Sequence, residues 1–232
     1  RKFLAKGERV WYAFGKGGAD MKNIPMFTTE NGVASLILQE IPYRQEAYVH
    51  IRSTAEPEAF FRECVDFCKM AGAEKIYLTG HPLLETRYSF HTSVLRLRRA
   101  LPENRESGCL FPVQRETLEN FREIYNRRMA KVENAATLTL SGAEDLLKRG
   151  DGYFVHDGKT LLGIGIASGG SIDCVIAEVR GAGQRVMEAL FHALSEDSVE
   201  LEVASTNAPA VALYERMGFV CVEEKSRWYG IF

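Results

Sequence analysis

The chain reads as an α/β (α+β) protein built in two similar halves, and three observations carry that reading. First, residues 171–178 alternate, with Ile172, Cys174 and Ile176 set against Asp173, Val175 and Ala177, the pattern of a half-buried strand. Second, Val186, Met187, Leu190, Phe191 and Leu194 fall on one stripe of a helix, and the glycine-bearing turn Val179-Arg180-Gly181-Ala182-Gly183-Gln184-Arg185 joins the two. Third, the plan occurs twice at one offset. The hairpin signal Asn31-Gly32 recurs as Asp157-Gly158, 126 positions on (157 − 31). Adding 126 to the stripe Phe60, Phe61, Cys64, Val65, Cys68 returns the second stripe position for position. What repeats is the apolar pattern; residue identity is nearly absent.

Taken in order, Val10 to Gly15 reads as a strand, followed by a Gly-rich loop and a strand from Ile24 to Thr29. Asn31-Gly32 is a strong short hairpin signal. Strands Val33 to Ile41 and Ala47 to Arg52 follow, then a helix from Pro57 to Ala71 and a strand from Lys75 to Thr79. Arg96, Arg98 and Arg99 form a small basic cluster, read as the solvated face of a strand end. The polar, Pro-bearing stretch Ala100 to Ser107 reads as a linker, which divides the chain into residues 1–106 and 107–232.

In the second part Cys109 to Val113 is a first strand, and Glu116 to Lys131 a helix with Leu118, Phe121, Ile124, Tyr125 and Met129 on one face. Ser141-Gly142-Ala143-Glu144 has capping-box spacing for a short helix to Lys148. Gly152 to His156 and Thr160 to Ala167 are hairpin strands. Val199 to Ala204 is a strand leading to a helix capped by Asn207, opened by Pro209 and ended by a left-handed Gly218. Ser226 to Phe232 closes the sheet.

At 232 residues, 46% hydrophobic and 26% charged, the composition is that of a water-soluble globular protein. A formal net charge of −2 gives no reason to expect nucleic acid or an anionic membrane as partner. No apolar run approaches the ~18 residues of a transmembrane helix. No signal peptide is visible, and five cysteines without paired spacing fit a reducing cytoplasm. Cys64 and Cys68 stand at i, i+4, but both lie on the apolar stripe and are expected in the core. The five histidines are scattered, so no metal is expected.

The turn at 179–185 carries chemistry. A glycine-bearing turn that opens a helix leaves several backbone N–H groups without intrahelical partners, aimed the same way, with the helix dipole adding positive charge. Small residues there let a phosphate approach the backbone.

This turn, followed by Asn207-Ala208-Pro209-Ala210-Val211-Ala212-Leu213-Tyr214-Glu215-Arg216-Met217-Gly218-Phe219, resembles the GNAT superfamily of acyl-CoA-dependent N-acyltransferases. Arg180 and Gly183 match the first two fixed positions of the family loop, Arg/Gln-x-x-Gly-x-Gly/Ala. Asn207, Ala210, Leu213, Tyr214, Glu215, Gly218 and Phe219 match the later signature. The last position of the loop departs: it is Arg185, a cation that could pair with a phosphate or obstruct it.

The resemblance implies a mixed, mostly antiparallel central sheet with helices on both faces, in two tandem GNAT-like domains. It implies acetyl-CoA as co-substrate, no metal, and a small-molecule or peptide amine as acceptor. Residues Arg180, Gly181, Ala182, Gly183, Gln184 and Arg185 would hold the pyrophosphate, and Cys174, Val175 and Ile176 would pair with the pantetheine arm. Asn207 would touch that arm or simply cap its helix. Tyr214 matches the position of the acid that protonates the thiolate. Asp173 is the candidate base, with Glu178, Glu202 and His156 as competitors. An N-acetyltransferase, monomer or homodimer, is the first reading; a non-catalytic CoA-binding or protein-interaction module of the same ancestry is the second.

In the shared register Arg180 to Arg185 corresponds to Thr54-Ala55-Glu56-Pro57-Glu58-Ala59. Two carboxylates there repel phosphate and Pro57 removes a donor. The first half is therefore expected to be unable to hold a pyrophosphate, and to pack, close a cleft or bind the acceptor.

Overall fold

The computed structural model describes residues 25–102 and 109–231. The expected strand at Val10 to Gly15, residue 24, most of the linker and Phe232 lie outside the described residues.

Among the described residues eleven strands form a single sheet, in the order β1-β2-β3-β4-β11-β5-β10-β9-β8-β7-β6. In the first half these are β1 (Met26–Thr29), β2 (Gly32–Ile37), β3 (Glu46–Thr54), β4 (Lys75–Thr79) and β5 (Ser89–Ala100). The second half supplies β6 (Cys109–Pro112), β7 (Gly152–His156), β8 (Leu161–Ser168), β9 (Ser171–Ala177), β10 (Ser198–Ala204) and β11 (Val220–Ile231). Only β3·β4 and β9·β10 pair in parallel; the other neighbours are antiparallel.

The centre of the sheet is an exchange. β11 from late in the chain lies between β4 and β5, and β5 in turn lies between β11 and β10. Each half's strand run is thus completed by a strand of the other. Trp228 of β11 is buried against Tyr48 of β3 and clusters with Tyr77 of β4 and Val94 of β5.

Helices cover both faces. α1 (Ile41–Arg44), α2 (Pro57–Met70) and α3 (Leu84–Arg87) belong to the first half. α4 (Leu118–Met129), α5 (Leu140–Arg149), α6 (Gly183–Leu190) and α7 (Ala208–Arg216) belong to the second. The expected stripe of α2, with both Cys64 and Cys68, is buried on β2, β3 and β4. The second stripe is also buried, with Val199, Leu201 and Val203 of β10, but only Val186, Met187 and Leu190 lie on α6; Phe191 opens a 3-10 turn and Leu194 is already extended. α4 and α5 pack on the opposite face against Ile164, Ile166 and Cys174. All five cysteines are free. None of the helices among the described residues is long and apolar enough to cross a membrane.

Several local expectations change. The first hairpin turns on Glu30-Asn31, because Gly32 is already paired with Thr29; a Cβ on Gly32 would meet Ser53 O at 2.6 Å. β2 stops at Ile37, and the short α1 takes the place of its expected end. The cap of α5 is Thr139, whose hydroxyl accepts the Gly142 N–H at 3.1 Å, so the Ser141 capping box is not formed. Arg99 is not simply solvated: its guanidinium lies over the Phe191 and Phe219 rings.

The shared offset holds for the helix starts of the units that bear the site, while their strand bounds and helix lengths differ. β3–α2–β4 corresponds to β9–α6–β10, with α2 opening at Pro57 and α6 at Gly183 (183 − 57 = 126). The preceding hairpins differ in length, since Thr29 pairs with Gly32 whereas His156 pairs with Leu161.

Candidate active site

The sequence alternation at 171–177 suggests one buried face, but β9 is bulged. Ile166 pairs with Cys174 and Ala167 with Ile172, which leaves Asp173 as the extra residue. A bulge re-aims the side chains that follow it. Ile172 therefore packs with α6, while Cys174 and Ile176 pack with α4 and α5, on the other side of the sheet.

The bulge coincides with the end of the β9·β10 ladder. Ser171 pairs with Glu200 and Ile172 with Leu201, and the pairing goes no further. The β9·β10 ladder thus ends at Ile172, and Cys174 to Ala177 continue β9 beyond it. Backbone groups of a strand alternate between its two neighbours, so every second residue of this stretch turns its N–H and C=O into the fork. Cys174, Val175 and Ile176 lie along it.

At the mouth of the fork stands the start of α6. Gly181 is left-handed (φ +83), and a Cβ there would meet nothing within 4 Å. Ala182 is the N-cap, with no side-chain cap and no acidic residue in the first turn. The first helical bond runs from the Val186 N–H to Ala182 O at 2.9 Å, so the N–H groups of Gly183, Gln184 and Arg185 precede it. Arg180 is exposed, and Gln184 Nε2 donates to Glu188 Oε1 at 2.8 Å. The Arg185 guanidinium leans towards Asp157 on the β7–β8 turn, 3.7 Å away. Asp157 is held below the usual carboxylate range by the N–H groups of Thr160 and Lys159, with Arg185 adding to the effect.

α7 follows β10 and closes the mouth. Asn207 precedes its first turn without a side-chain cap, so helix capping does not occupy its amide. The helix ends in a Schellman arrangement: Phe219 N–H bonds Tyr214 O at 3.0 Å, Gly218 N–H bonds Glu215 O at 2.9 Å, and Gly218 is left-handed. The Tyr214 and Phe219 rings meet at 5.8 Å, which fixes the tyrosine against the sheet. Burial, reinforced by the neighbouring Cys174, pushes the Tyr214 phenol well above its ordinary range, so it stays protonated at neutral pH.

Two carboxylates stand at the base of the fork. Asp173 Oδ1 accepts the Ser171 hydroxyl at 2.7 Å. Glu202 follows Leu201, the last residue of β10 that pairs with β9, and itself pairs with Arg96 of β5. Burial pushes its pKa up, and the charge of Asp173 adds to this. Its 2.7 Å bond with the largely buried Lys225 Nζ opposes the shift without cancelling it. The other competitors lie elsewhere. Glu178 is gripped by Arg127 and Arg128; burial acts to raise its pKa, but the two guanidiniums hold it low. His156 ends β7, two strands from β10's partner β9, with its ring edge-on to Phe111.

Contacts that no motif announces tie the halves together above this site. Arg44 Nη1 donates to Met129 O (3.2 Å) and Ala135 O (3.1 Å), and Nη2 to Val132 O (3.0 Å). The Glu40 carboxylate accepts the Thr137 N–H and hydroxyl at 3.0 and 2.7 Å. The segment between α4 and α5 is thus clasped by the first half, and the Thr206 hydroxyl beyond β10 donates to Glu133 within it. Among the described residues no group of three or more His, Cys, Asp and Glu side chains comes together as a metal site.

Residues 177–219, which span the α6 loop, β10 and α7, match the model of the Acetyltransferase (GNAT) family. Similar solved structures include a putative acetyltransferase from Pyrococcus horikoshii (TM-score 0.55, 13% identity, 87% of this chain and 69% of that one). A functionally unknown conserved protein from Staphylococcus epidermidis gives 0.52 at 12% identity, over 88% and 91% of the two chains. A GCN5-related N-acetyltransferase from Sphaerobacter thermophilus gives 0.50 at 14%, over 85% and 75%. No curated protein matches the chain in sequence. At such identities the likeness is one of fold, a mixed and mostly antiparallel sheet with helices on both faces.

Proposed function

We propose that this chain is a GNAT-superfamily member whose second half, where residues 177–219 match the family model, transfers an acetyl group from acetyl-CoA to the amine of a small molecule or peptide terminus. One observation carries the reading. The β9·β10 ladder stops after Ile172 and Leu201, and the resulting fork opens towards three N–H groups that precede the first bond of α6. An extended pantetheine arm fits such a fork as an added strand, with its amides meeting the backbone groups of Cys174, Val175 and Ile176. The diphosphate falls to the N–H groups of Gly183, Gln184 and Arg185, with the small Gly181 and Ala182 beside them and the Ala182 N–H kept in the turn by Val179 O at 3.1 Å, aided by the helix dipole and Arg180.

The chemistry needs a proton taken from the amine and one given to the departing thiolate. Of the carboxylates at the fork, Glu202 suits the first task better than Asp173. Its raised pKa makes it a stronger base, whereas Asp173 is engaged by Ser171. Asp173 is then a positioning residue, since its bulge opens the fork and its charge helps raise Glu202. Tyr214 takes the second task by its place in the signature: burial keeps its proton on at neutral pH, although the same burial makes it a weaker acid. Asn207 is available to the arm because it caps nothing.

The experiment is a thermal-shift titration with acetyl-CoA, followed by a thiol-release assay over a panel of amines. Saturable stabilisation is expected, with turnover on at least one amine. Tyr214→Phe should lower kcat at least ~10-fold with little change in coenzyme affinity. Absence of any stabilisation by acetyl-CoA would sink the proposal.

A further inference from the structure

Above the centre of the sheet, between the first half and the α4–α5 segment, lies a cavity of about 350 Å³. It is separate from the fork: neither Asp173 nor Glu202 lines it. One wall is aromatic, with Tyr77 and His91 stacked at 4.1 Å and 23°. The other wall is the segment that Arg44 clasps, and it brings in Asn134.

Asn134 is 2% exposed and sits in the left-handed region (φ 56). Its Oδ1 lies 3.2 Å from His91 Nε2, while its Nδ2 is buried without an acceptor. A buried donor left unsatisfied costs roughly 1–3 kcal/mol, so an acceptor is the complement this wall lacks. The two carboxylates of the lining are already engaged. Glu46 takes Arg44 Nε at 2.9 Å, the Tyr48 hydroxyl at 2.7 Å and Lys75 at 3.5 Å, and Glu133 takes Thr206. Burial lowers the pKa of His91, with the Glu133 charge and the Asn134 bond opposing, so the ring is neutral at pH 7. Three cationic side chains (Arg44, Lys75, Lys131) against two carboxylates then leave one positive charge in excess.

We propose that this inter-half cavity binds a small planar monocarboxylate, its carboxylate on Asn134 Nδ2 and Lys75 and its flat body beside the Tyr77–His91 stack. The site is independent of the acyl-transfer reading and needs no coenzyme.

The test titrates the full chain with benzoate in the absence of acetyl-CoA, following binding by calorimetry and the side-chain amide resonance of Asn134 by NMR. Saturable binding that moves that resonance is expected, and benzylamine should not compete. Asn134→Asp keeps a residue that tolerates the left-handed backbone but replaces the donor with a charge, and should weaken benzoate at least ~10-fold. Lys75→Gln should weaken it by a few-fold. The Gly183→Pro/Gln184→Glu variant of the coenzyme loop should bind benzoate as the parent does. No benzoate binding, an Asn134 resonance that stays still, or undiminished affinity in a folded Asn134→Asp would each overturn the proposal.

Discussion

Glu46 faces Lys75 in one parallel strand pair, and 126 positions on Ile172 faces Leu201 in the other. That equivalent rung is the first of β3·β4 but the last of β9·β10, and beyond it the two pairs diverge. β3 and β4 stay in register through Ala47, Tyr48, Val49 and His50, as far as Thr79. β9 and β10 part at once. The difference traces to one residue, Asp173, which is extra in β9, whereas the corresponding Ala47 is paired and buried. In β3 the irregularity falls at Arg52, beyond the paired stretch, where it opens nothing. The helix starts differ in the same sense: Glu56, Pro57 and Glu58 open α2, whereas Ala182, Gly183 and Gln184 open α6. The same strand–helix–strand unit serves once as closed scaffold and once as an open fork, and it takes few residues to decide which.

The sharpest way to break this comparison is to delete Asp173. Ile172 and Cys174 now face opposite sides of the sheet, so joining them directly restores ordinary strand alternation. The fork is expected to zip, leaving circular dichroism native-like and acetyl-CoA stabilisation abolished. Retained coenzyme binding would show that something other than the bulge holds the strands apart.

Next in size is Glu202→Gln, expected to lower kcat/KM by about 10²–10⁴-fold with coenzyme affinity unchanged. Only the ionised carboxylate accepts a proton, and Glu202 ionises above the ordinary glutamate value of about 4.3. Activity should therefore rise with pH through a limb above that value, and the limb should vanish in the Gln variant while any alkaline limb remains. A Gln variant as active as its parent would move the base elsewhere.

A transplant of the first half's helix start, Gly183→Pro with Gln184→Glu, removes one donor N–H and adds a carboxylate at the anion site. Coenzyme affinity should fall about 10²-fold by calorimetry, from a lost charged hydrogen bond and an opposed helix dipole. Smallest is Arg185→Gly. Because the guanidinium leans to Asp157 and not over Gly181, affinity should change by no more than about 3-fold, the scale of an exposed ion pair.

Much of this was legible beforehand. The stripes of α2 and α6, the left-handed Gly218 and the turn at 179–185 follow from local chemistry, and the structure has them. The bulge was not legible, since Ile172, Cys174 and Ile176 share one face on paper; a register shift is a property of two strands, visible only once β8 is beside β9. Nor could the burial of Glu202 be read, for Glu200 shares its alternation and is more open to solvent. The clasp by Arg44 and Glu40 joins residues about 90 positions apart, with no motif to announce it.

The placement of β11 has a consequence for how the chain matures. During synthesis the flank of β4 is made long before residues 220–231, the segment that covers it. Until then the early half presents a bare, hydrogen-bond-hungry margin, so an interrupted chain is poised to recruit a neighbour's strand in place of its own. The margin of the first lobe is thus closed only by residues 220–231, which ties the two lobes into one sheet.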